Sequence, residues 1–405
     1  MKIPLSKPEI GNREIERVME ALGTGQLSMG PLLAEFEEKF AGYAGTRYAV
    51  AASSGTAALH LCVKALGIGA GDEALTTSFS FVSSTNCLLY EQATPAFSDI
   101  DPATLNIDPE EIRKALRRDY AWNPTRRAQV NRRTGRALKA ILPVHVFGLP
   151  CAMAEIQAIA EEFDLRILED ACEALGAQYR GRPVGTWGDA AVFAFYPNKQ
   201  MTTAEGGMIV TNSLKIAHLC RSLRNQGRDE DGGWLRHERL GYNYRLSELH
   251  CALGLAQLER IPELLDARAR VAAHYARFLS GAPHILLPSN PPETKRSWFA
   301  YVIRLERSLR DQLITGLRER GIACQAYFPA IHRQPYFREF AAGLQRPLPQ
   351  TDLASQRSLA LPLFPAMTEG QVAEASAAVR EILGAAAPDA RIVIPHYETA
   401  VQAVP

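Results

Sequence analysis

From Gly45 to Asn212 the chain returns repeatedly to an apolar run of strand length, and this recurrence limits its fold more than any other feature. The runs are GTRYAVAASSGT, EALTTSF, TPAFSDI, RALKAILPVHVFG, LRILEDA, GDAAVFAFYP and GGMIVTN. They alternate in part with helix-like segments. Residues 56–66 carry Leu59, Cys62, Val63 and Leu66 on one face, and residues 153–163 form another such segment. Strands that are apolar nearly throughout need cover on both faces, so the pattern predicts an α/β fold around a mostly parallel sheet. From about residue 246 the helix content rises, with Leu249, Leu253 and Ala256 on one stripe. The Pro-rich pieces PHILLPSNPPE and RPLPQTDLASQRSLALPLFP follow. This shift predicts two domains, a large α/β domain over residues 1–245 and a smaller α+β domain over 246–405. Near the start, residues 12–22 place Ile15, Val18, Met19 and Leu22 on one helical face behind Asn12 as N-cap, which predicts a packing helix.

Charge and cysteine usage narrow the function classes. Forty-five Lys and Arg against 44 Asp and Glu leave a net charge of +1 over 405 residues, a balance that predicts neither nucleic acid nor an anionic membrane as partner. The cysteines at 62, 87, 151, 172, 220, 251 and 324 have neither CxxC pairing nor His-spaced ligand sets. They read as buried thiols of a reducing compartment rather than a disulfide framework or a metal site. The opening MKIPLSKPEIG has no apolar signal core, and no run approaches the roughly 20 apolar residues a membrane span needs. A cytoplasmic location is expected. One stretch departs from the balance: residues 113–139, RKALRRDYAWNPTRRAQVNRRTGRALK, are strongly basic. They read either as a solvated surface excursion or as a grip on substrate phosphates.

Four local features bear on chemistry. ILED ends an apolar run in Glu169 and Asp170, and the carboxyl ends of strands form the ligand crevice of open α/β sheets. Alone, Asp170 is more often a helix cap. SSGTAALH opens a helix with Ser53, Ser54, Gly55 and Thr56, which either cap it or cradle a phosphate on free N–H groups. GIGAGDE follows a helix and precedes a strand, the reverse of a dinucleotide loop, so it reads as a turn. In AFYPNKQMTTAEGGMIV, Lys199 sits between an aromatic strand and a small-residue turn. An amine there can form a Schiff base with an aldehyde cofactor and then serve in proton transfer. Pyridoxal 5'-phosphate matches this set, because it needs a lysine, a carboxylate for its ring nitrogen, a phosphate cup and a stacking ring.

SSGTAALHL, EDACEALGA, FYPNKQMTTAEGGMIVT and LGYNYRLSEL stand in the order and spacing of the DegT/DnrJ/EryC1/StrS aminotransferases, which the chain resembles from about residue 3 to 384. The resemblance implies the aspartate aminotransferase fold, type I, with a mostly parallel seven-stranded sheet in the large domain. It implies a homodimer with shared active sites and pyridoxal phosphate cycling through pyridoxamine phosphate. Glutamate is the implied donor and a nucleotide-linked keto-sugar, of the 4-keto-6-deoxyhexose type, the implied acceptor.

Residue by residue, Lys199 matches the lysine that condenses with the cofactor and shuttles the proton, and Asp170 matches the partner of the pyridine nitrogen. Gly55 and Thr56 match the phosphate turn, and Phe81 the stacking ring. Asn243 and Arg245 match residues reaching the phosphate from the neighbouring subunit. Two positions depart from a frequent family pattern. Ala194 stands where a serine hydroxyl often meets the phosphate, and Glu173 where Gln or His often lies near the phenolic oxygen. A carboxylate beside that oxygen is expected to be protonated or turned away. Alternative readings are a cyclitol ketone as acceptor, a sugar dehydratase, or a non-catalytic sensor or scaffold that keeps the pocket. The dehydratase relatives carry histidine at the lysine position, which disfavours that alternative.

Overall fold

The computed structural model of the chain describes residues 2–229, 235–340 and 346–384, so the expected end of the second domain, 385–405, lies outside the described residues. Helices α1 (Asn12–Gly23) and α2 (Pro31–Ala44) precede β1 (Tyr48–Ala52), α3 (Gly55–Ala65), β2 (Asp72–Thr77), α4 (Ser83–Tyr90), β3 (Thr94–Ser98) and α5 (Pro109–Asp119). Next come β4 (Tyr120–Asn123), β5 (Ala128–Asn131), β6 (Ala137–Leu142), α6 (Met153–Phe163) and β7 (Arg166–Asp170). Short β8 (Gln178–Tyr179) and β9 (Arg182–Pro183) lead to β10 (Ala190–Ala194), β11 (Gly207–Thr211) and α7 (Leu214–Arg224). The remainder holds α8 (Glu248–Glu259), α9 (Ile261–Leu279), β12 (Thr294–Lys295), β13 (Tyr301–Arg304), α10 (Arg307–Glu319), α11 (Pro349–Arg357), β14 (Ser358–Leu361) and α12 (Glu369–Gly384). Among the described residues no helix is long and apolar enough to cross a membrane.

The central sheet runs β1-β11-β10-β7-β6-β2-β3, each strand taken from one of the seven apolar runs. Six of these strands point one way and β11 opposes them. Both faces are covered, as the composition of the strands requires. In β10, Ala190 and Val192 join the core beneath α3 and α7, while Ala191 and Phe193 join the core with α2 and α8. Successive side chains thus go to opposite faces. The basic stretch is not a loop. It forms the later part of α5 and the hairpin β4–β5, and β5 pairs antiparallel with β6, so the hairpin widens the sheet.

A second core gathers Val271, Tyr275 and Leu279 of α9 with Tyr301 and Ile303, Leu313 and Leu317, Leu359 and Leu361, and Val372 and Val379. Strands β13 and β14 pair antiparallel beneath these helices. Helix α8 packs with the large sheet's core, and α9 starts in that core at Ile261 and Leu264 before entering the second one. The stripe expected on α8 is half-buried at Leu249 and Leu253, because Cys251, Leu255 and Leu258 on its other sides are buried as well.

The reading of α1 as a helix packed inward on its apolar face is corrected by the structure. Ile15, Met19 and Leu22 are 55%, 61% and 45% exposed, while Glu14 and Ala21 are the buried residues. The cap is Gly11 rather than Asn12: the Glu14 carboxylate reaches back to accept from the Gly11 N–H at 2.8 Å. The same carboxylate accepts from Gln257 at 2.8 Å and from Arg260 at 3.1 Å. This polar anchor fixes the helix to α8 and turns the apolar stripe outward.

Candidate active site

The expected residues collect at the carboxyl ends of the strands. Asp170, the last residue of β7, is buried, and its carboxylate accepts from Ser84 Oγ at 2.7 Å and from the Cys172 N–H at 3.1 Å. No Lys, Arg or His of the described residues lies within ion-pair distance of it. A buried carboxylate served only by neutral donors is costly to keep charged without a cation beside it, so a protonated heterocyclic nitrogen fits this position.

Lys199 follows β10 on a turn whose N–H donates to the Tyr196 carbonyl at 2.9 Å. Its Nζ stands 3.6 Å from Glu173 Oε1 and 4.2 Å from the centre of the Phe299 ring. Its carbonyl accepts from Arg268 Nη2 at 2.6 Å. Arg268 is wholly buried on α9, and burial pushes its guanidinium down to about 10, which still leaves it charged at neutral pH. Glu173 is turned inward, with Oε2 accepting from the Phe147 N–H at 2.9 Å. Burial raises the Glu173 acid above its usual range, and the Lys199 charge and the Phe147 N–H pull in the opposite direction. Phe147 holds φ 54, a left-handed conformation uncommon for a side chain of its size. Gln200 ties the site to the segment between β12 and β13 by donating to the Glu173 carbonyl at 2.5 Å and to Ser297 Oγ at 3.0 Å.

Helix α3 begins against β10. Ser54 caps it by accepting from the Ala57 N–H at 3.0 Å, and Gly55 and Thr56 are its first residues, whose N–H groups have no partner within the helix. Gly55 is needed for close approach: a Cβ there would lie 2.7 Å from Ala194 Cβ and 3.1 Å from Cys172 Sγ. Ala194 therefore faces the turn, and it brings a methyl where a serine would bring a donor. Phe81, in the loop between β2 and α4, is 59% exposed, with its ring free to take a flat partner. Among the described residues, a lysine, a cation-free acid, an N–H turn and an open ring lie at one end of one sheet. These groups fit pyridoxal phosphate.

Asn243 and Arg245 are not joined to this group by any hydrogen bond or ion pair among the described residues. Their segment runs beside β1, with the Ser53 N–H donating to the Tyr244 carbonyl at 2.9 Å. Tyr242 and Tyr244 stack at 5.0 Å and turn inward onto His60, whose Nε2 is 2.9 Å from Glu91 Oε1. Alternation leaves Asn243 exposed, and Arg245 donates to Asn225 Oδ1 at 3.0 Å.

Residues 8–380 match the DegT/DnrJ/EryC1/StrS aminotransferase family. The chain belongs to this family. It is 35% identical over 395 residues to the spore coat polysaccharide biosynthesis protein SpsC of Bacillus subtilis, covering 94% of this chain and 97% of that protein. The crystal structure of S. venezuelae DesV in complex with a ketimine intermediate superposes with a TM-score of 0.83 at 32% identity, covering 94% of this chain and 98% of DesV. DesI in the presence of its TDP-sugar product gives 0.81 at 32% identity, over 93% of this chain and 91% of that one. The family member described here is a pyridoxal-phosphate-dependent aminotransferase with the type I fold.

Sequence reasoning missed several residues of the site. Ser84, the donor to Asp170, left no signal beyond its place in a serine-rich turn. Arg268 left one: it occupies the apolar stripe of α9, between Leu264 and Val271 and Ala272, where a cation needs a buried reason. Phe299 and the Phe147 N–H come from distant segments and carry no local mark.

Proposed function

We propose that this aminotransferase moves the amino group of glutamate to a keto carbon of a nucleotide-linked sugar, of the 4-keto-6-deoxyhexose type, as a cytoplasmic homodimer. The observation that carries the reading is that the Lys199 turn and the cation-free carboxylate of Asp170 lie at the same end of one sheet. Bound pyridoxal phosphate supplies an electron sink for the carbon that loses and regains the proton. Lys199 is the amine that holds the cofactor and, once released, moves the proton. Asp170, oriented by Ser84, keeps the ring nitrogen protonated. Gly55 and Thr56 present N–H groups to the phosphate at the positive end of α3, and Phe81 covers a ring face. Glu173 lies beside Lys199, and a proton on its carboxyl, which burial favours, would give the phenolic oxygen a donor where a carboxylate would repel it. Arg268 fixes the backbone of the lysine turn.

The sugar reading is supported by the TDP-sugar product named for DesI and the polysaccharide role named for SpsC. Binding energy from a nucleotide diphosphate, remote from the ketone, would position the reacting carbon. The outward apolar stripe of α1 and the exposed Asn243 support a second copy that covers the one and receives the other. The division into two domains belongs to the same reading, with α8 packed on the large-domain side of the boundary expected at about residue 245. The test is a panel of UDP-, dTDP- and GDP-linked keto-sugars and a cyclitol ketone, assayed with glutamate for 2-oxoglutarate and amino product in equal amounts. Release of no 2-oxoglutarate with any acceptor would overturn glutamate as the donor, and 2-oxoglutarate without an amino product from any nucleotide-linked sugar would overturn the proposed acceptor.

A further inference from the structure

The basic stretch is left unused by the amino-transfer site. Residues 113–139 hold ten Lys and Arg against one acid, Asp119, in a chain whose total charge is only +1. Like charges gathered in one stretch repel one another, so the arrangement is unfavourable unless something anionic offsets it. Some of them have local partners: Arg113 pairs with Glu162 and Lys114 with Glu111. Arg118 and Arg346 both donate to Asp119. Arg132 and Arg133, both exposed, have no carboxylate within ion-pair distance among the described residues.

These four guanidinium groups line one cleft at the outer edge of the sheet, walled by Phe97 and Phe337, whose rings lie 5.3 Å apart. Two carboxylates also line it. Asp119 is engaged by Arg118 and Arg346. Glu73 is enclosed by neutral donors, Tyr120 Oη at 2.6 Å, Thr134 Oγ1 at 2.8 Å and Asn131 Nδ2 at 3.0 Å. The balance is therefore positive. None of the residues assigned to the cofactor lines the cleft, and Glu73 and Thr94 lie at the amino-terminal ends of β2 and β3, whereas Asp170 closes β7 at its carboxyl end.

The interior is about 110 Å³, well above the roughly 10–15 Å³ a single water needs. That is room for a phosphate group with the rest of its molecule outside. Guanidinium forks match phosphate oxygens two at a time. We propose that this cleft binds a phosphate group of a ligand distinct from the amino-transfer reactants. Arg132 and Arg133 grip the anion, and Asp119 holds Arg118 and Arg346 in place at the rim. A soluble polyphosphate and a phospholipid headgroup offer the same chemistry.

The test uses full-length, cofactor-loaded protein with inorganic pyrophosphate, followed by calorimetry, and with vesicles of phosphatidylglycerol or phosphatidylcholine, followed by sedimentation. Arg132→Glu with Arg133→Glu should weaken binding by about tenfold or more, the loss of at least one charge-assisted bond. Arg117→Glu with Arg127→Glu changes the same charge in the same basic stretch away from the cleft and should weaken it by less than about threefold, as screened surface charges do. Pyrophosphate binding without vesicle binding assigns the phosphate to a soluble ligand. Binding to the anionic vesicles alone, lost in the first pair, assigns it to lipid. Equal losses in both pairs, or binding of neither probe, overturns the proposal. An unchanged cofactor absorbance in all variants shows that the active site is not what was measured.

Discussion

Gly55→Ala is the most direct mechanical test of how α3 meets β10. The new methyl would sit 2.7 Å from Ala194 Cβ and 3.1 Å from Cys172 Sγ. Carbon pairs settle at about 3.5–4.0 Å, so either the helix start or the strand end must retreat by roughly 1 Å. Overpacking of this kind costs about 1–3 kcal/mol of stability. A turn displaced that far loses at least one N–H bond to the cofactor phosphate, worth about 1.5–3 kcal/mol. The dissociation constant for pyridoxal phosphate should then rise by roughly 10- to 150-fold at 1.4 kcal/mol per factor of ten. Titrating cofactor-free protein and following the visible absorbance measures the affinity, and urea unfolding measures the stability. Ala194→Gly removes the methyl that is struck, at a strand cost of about 0.5–1 kcal/mol. The double variant should therefore recover much of what Gly55→Ala loses, although the sulfur contact remains. Wild-type affinity in Gly55→Ala, or no recovery on adding Ala194→Gly, would refute the packing argument.

Three further outcomes are expected. Arg268→Ala leaves the Lys199 carbonyl without its 2.6 Å donor and should lower the unfolding free energy by about 2–5 kcal/mol, with Arg268→Lys giving little rescue because an ammonium cannot replace the fork. Burial raises Glu173 above its usual 4.5, so the folded chain holds that proton more tightly than the unfolded one. Its contribution is fully present below that usual value and is lost as pH rises through the raised one. Glu173→Gln removes the loss, and its urea-midpoint advantage over cofactor-free wild type should grow between about pH 4 and 8; an advantage that shrinks would count against the burial argument. Met19→Asp puts a charge on the exposed stripe of α1 and should weaken self-association by about 1–2 kcal/mol or more in sedimentation, with turnover falling in parallel. A variant that sediments as wild type would remove α1 from the interface.

The seven sheet strands could be read from the sequence because a strand buried on both faces is apolar along its whole length, and that is a local property. The places of Asp170, at the end of such a strand, and of Lys199, on the turn that follows one, can be read for a related reason, whereas the roles expected of them come from the family resemblance. Helix α1 was misread because amphipathic periodicity identifies an apolar face without saying what covers it. In this chain Glu14, anchored by Gln257 and Arg260, sets the orientation. The hairpin within the basic stretch was hidden because its strands are short and polar, and it is held by pairing with β6, far from any pattern of its own. The Ser84 contact to Asp170 and the Arg268 contact to Lys199 join residues 86 and 69 positions apart. Only the folded chain brings such pairs together, and Arg268 alone left a trace, as a cation on an apolar stripe.

The central claim is that the amine at position 199 is the one that holds the cofactor. Borohydride reduction of the loaded protein, followed by peptide mapping, should place the coenzyme on the peptide containing Lys199 and on no other, and Lys199→Ala should carry none while still folding. Coenzyme fixed to a different side chain, or turnover surviving in Lys199→Ala, would contradict the account.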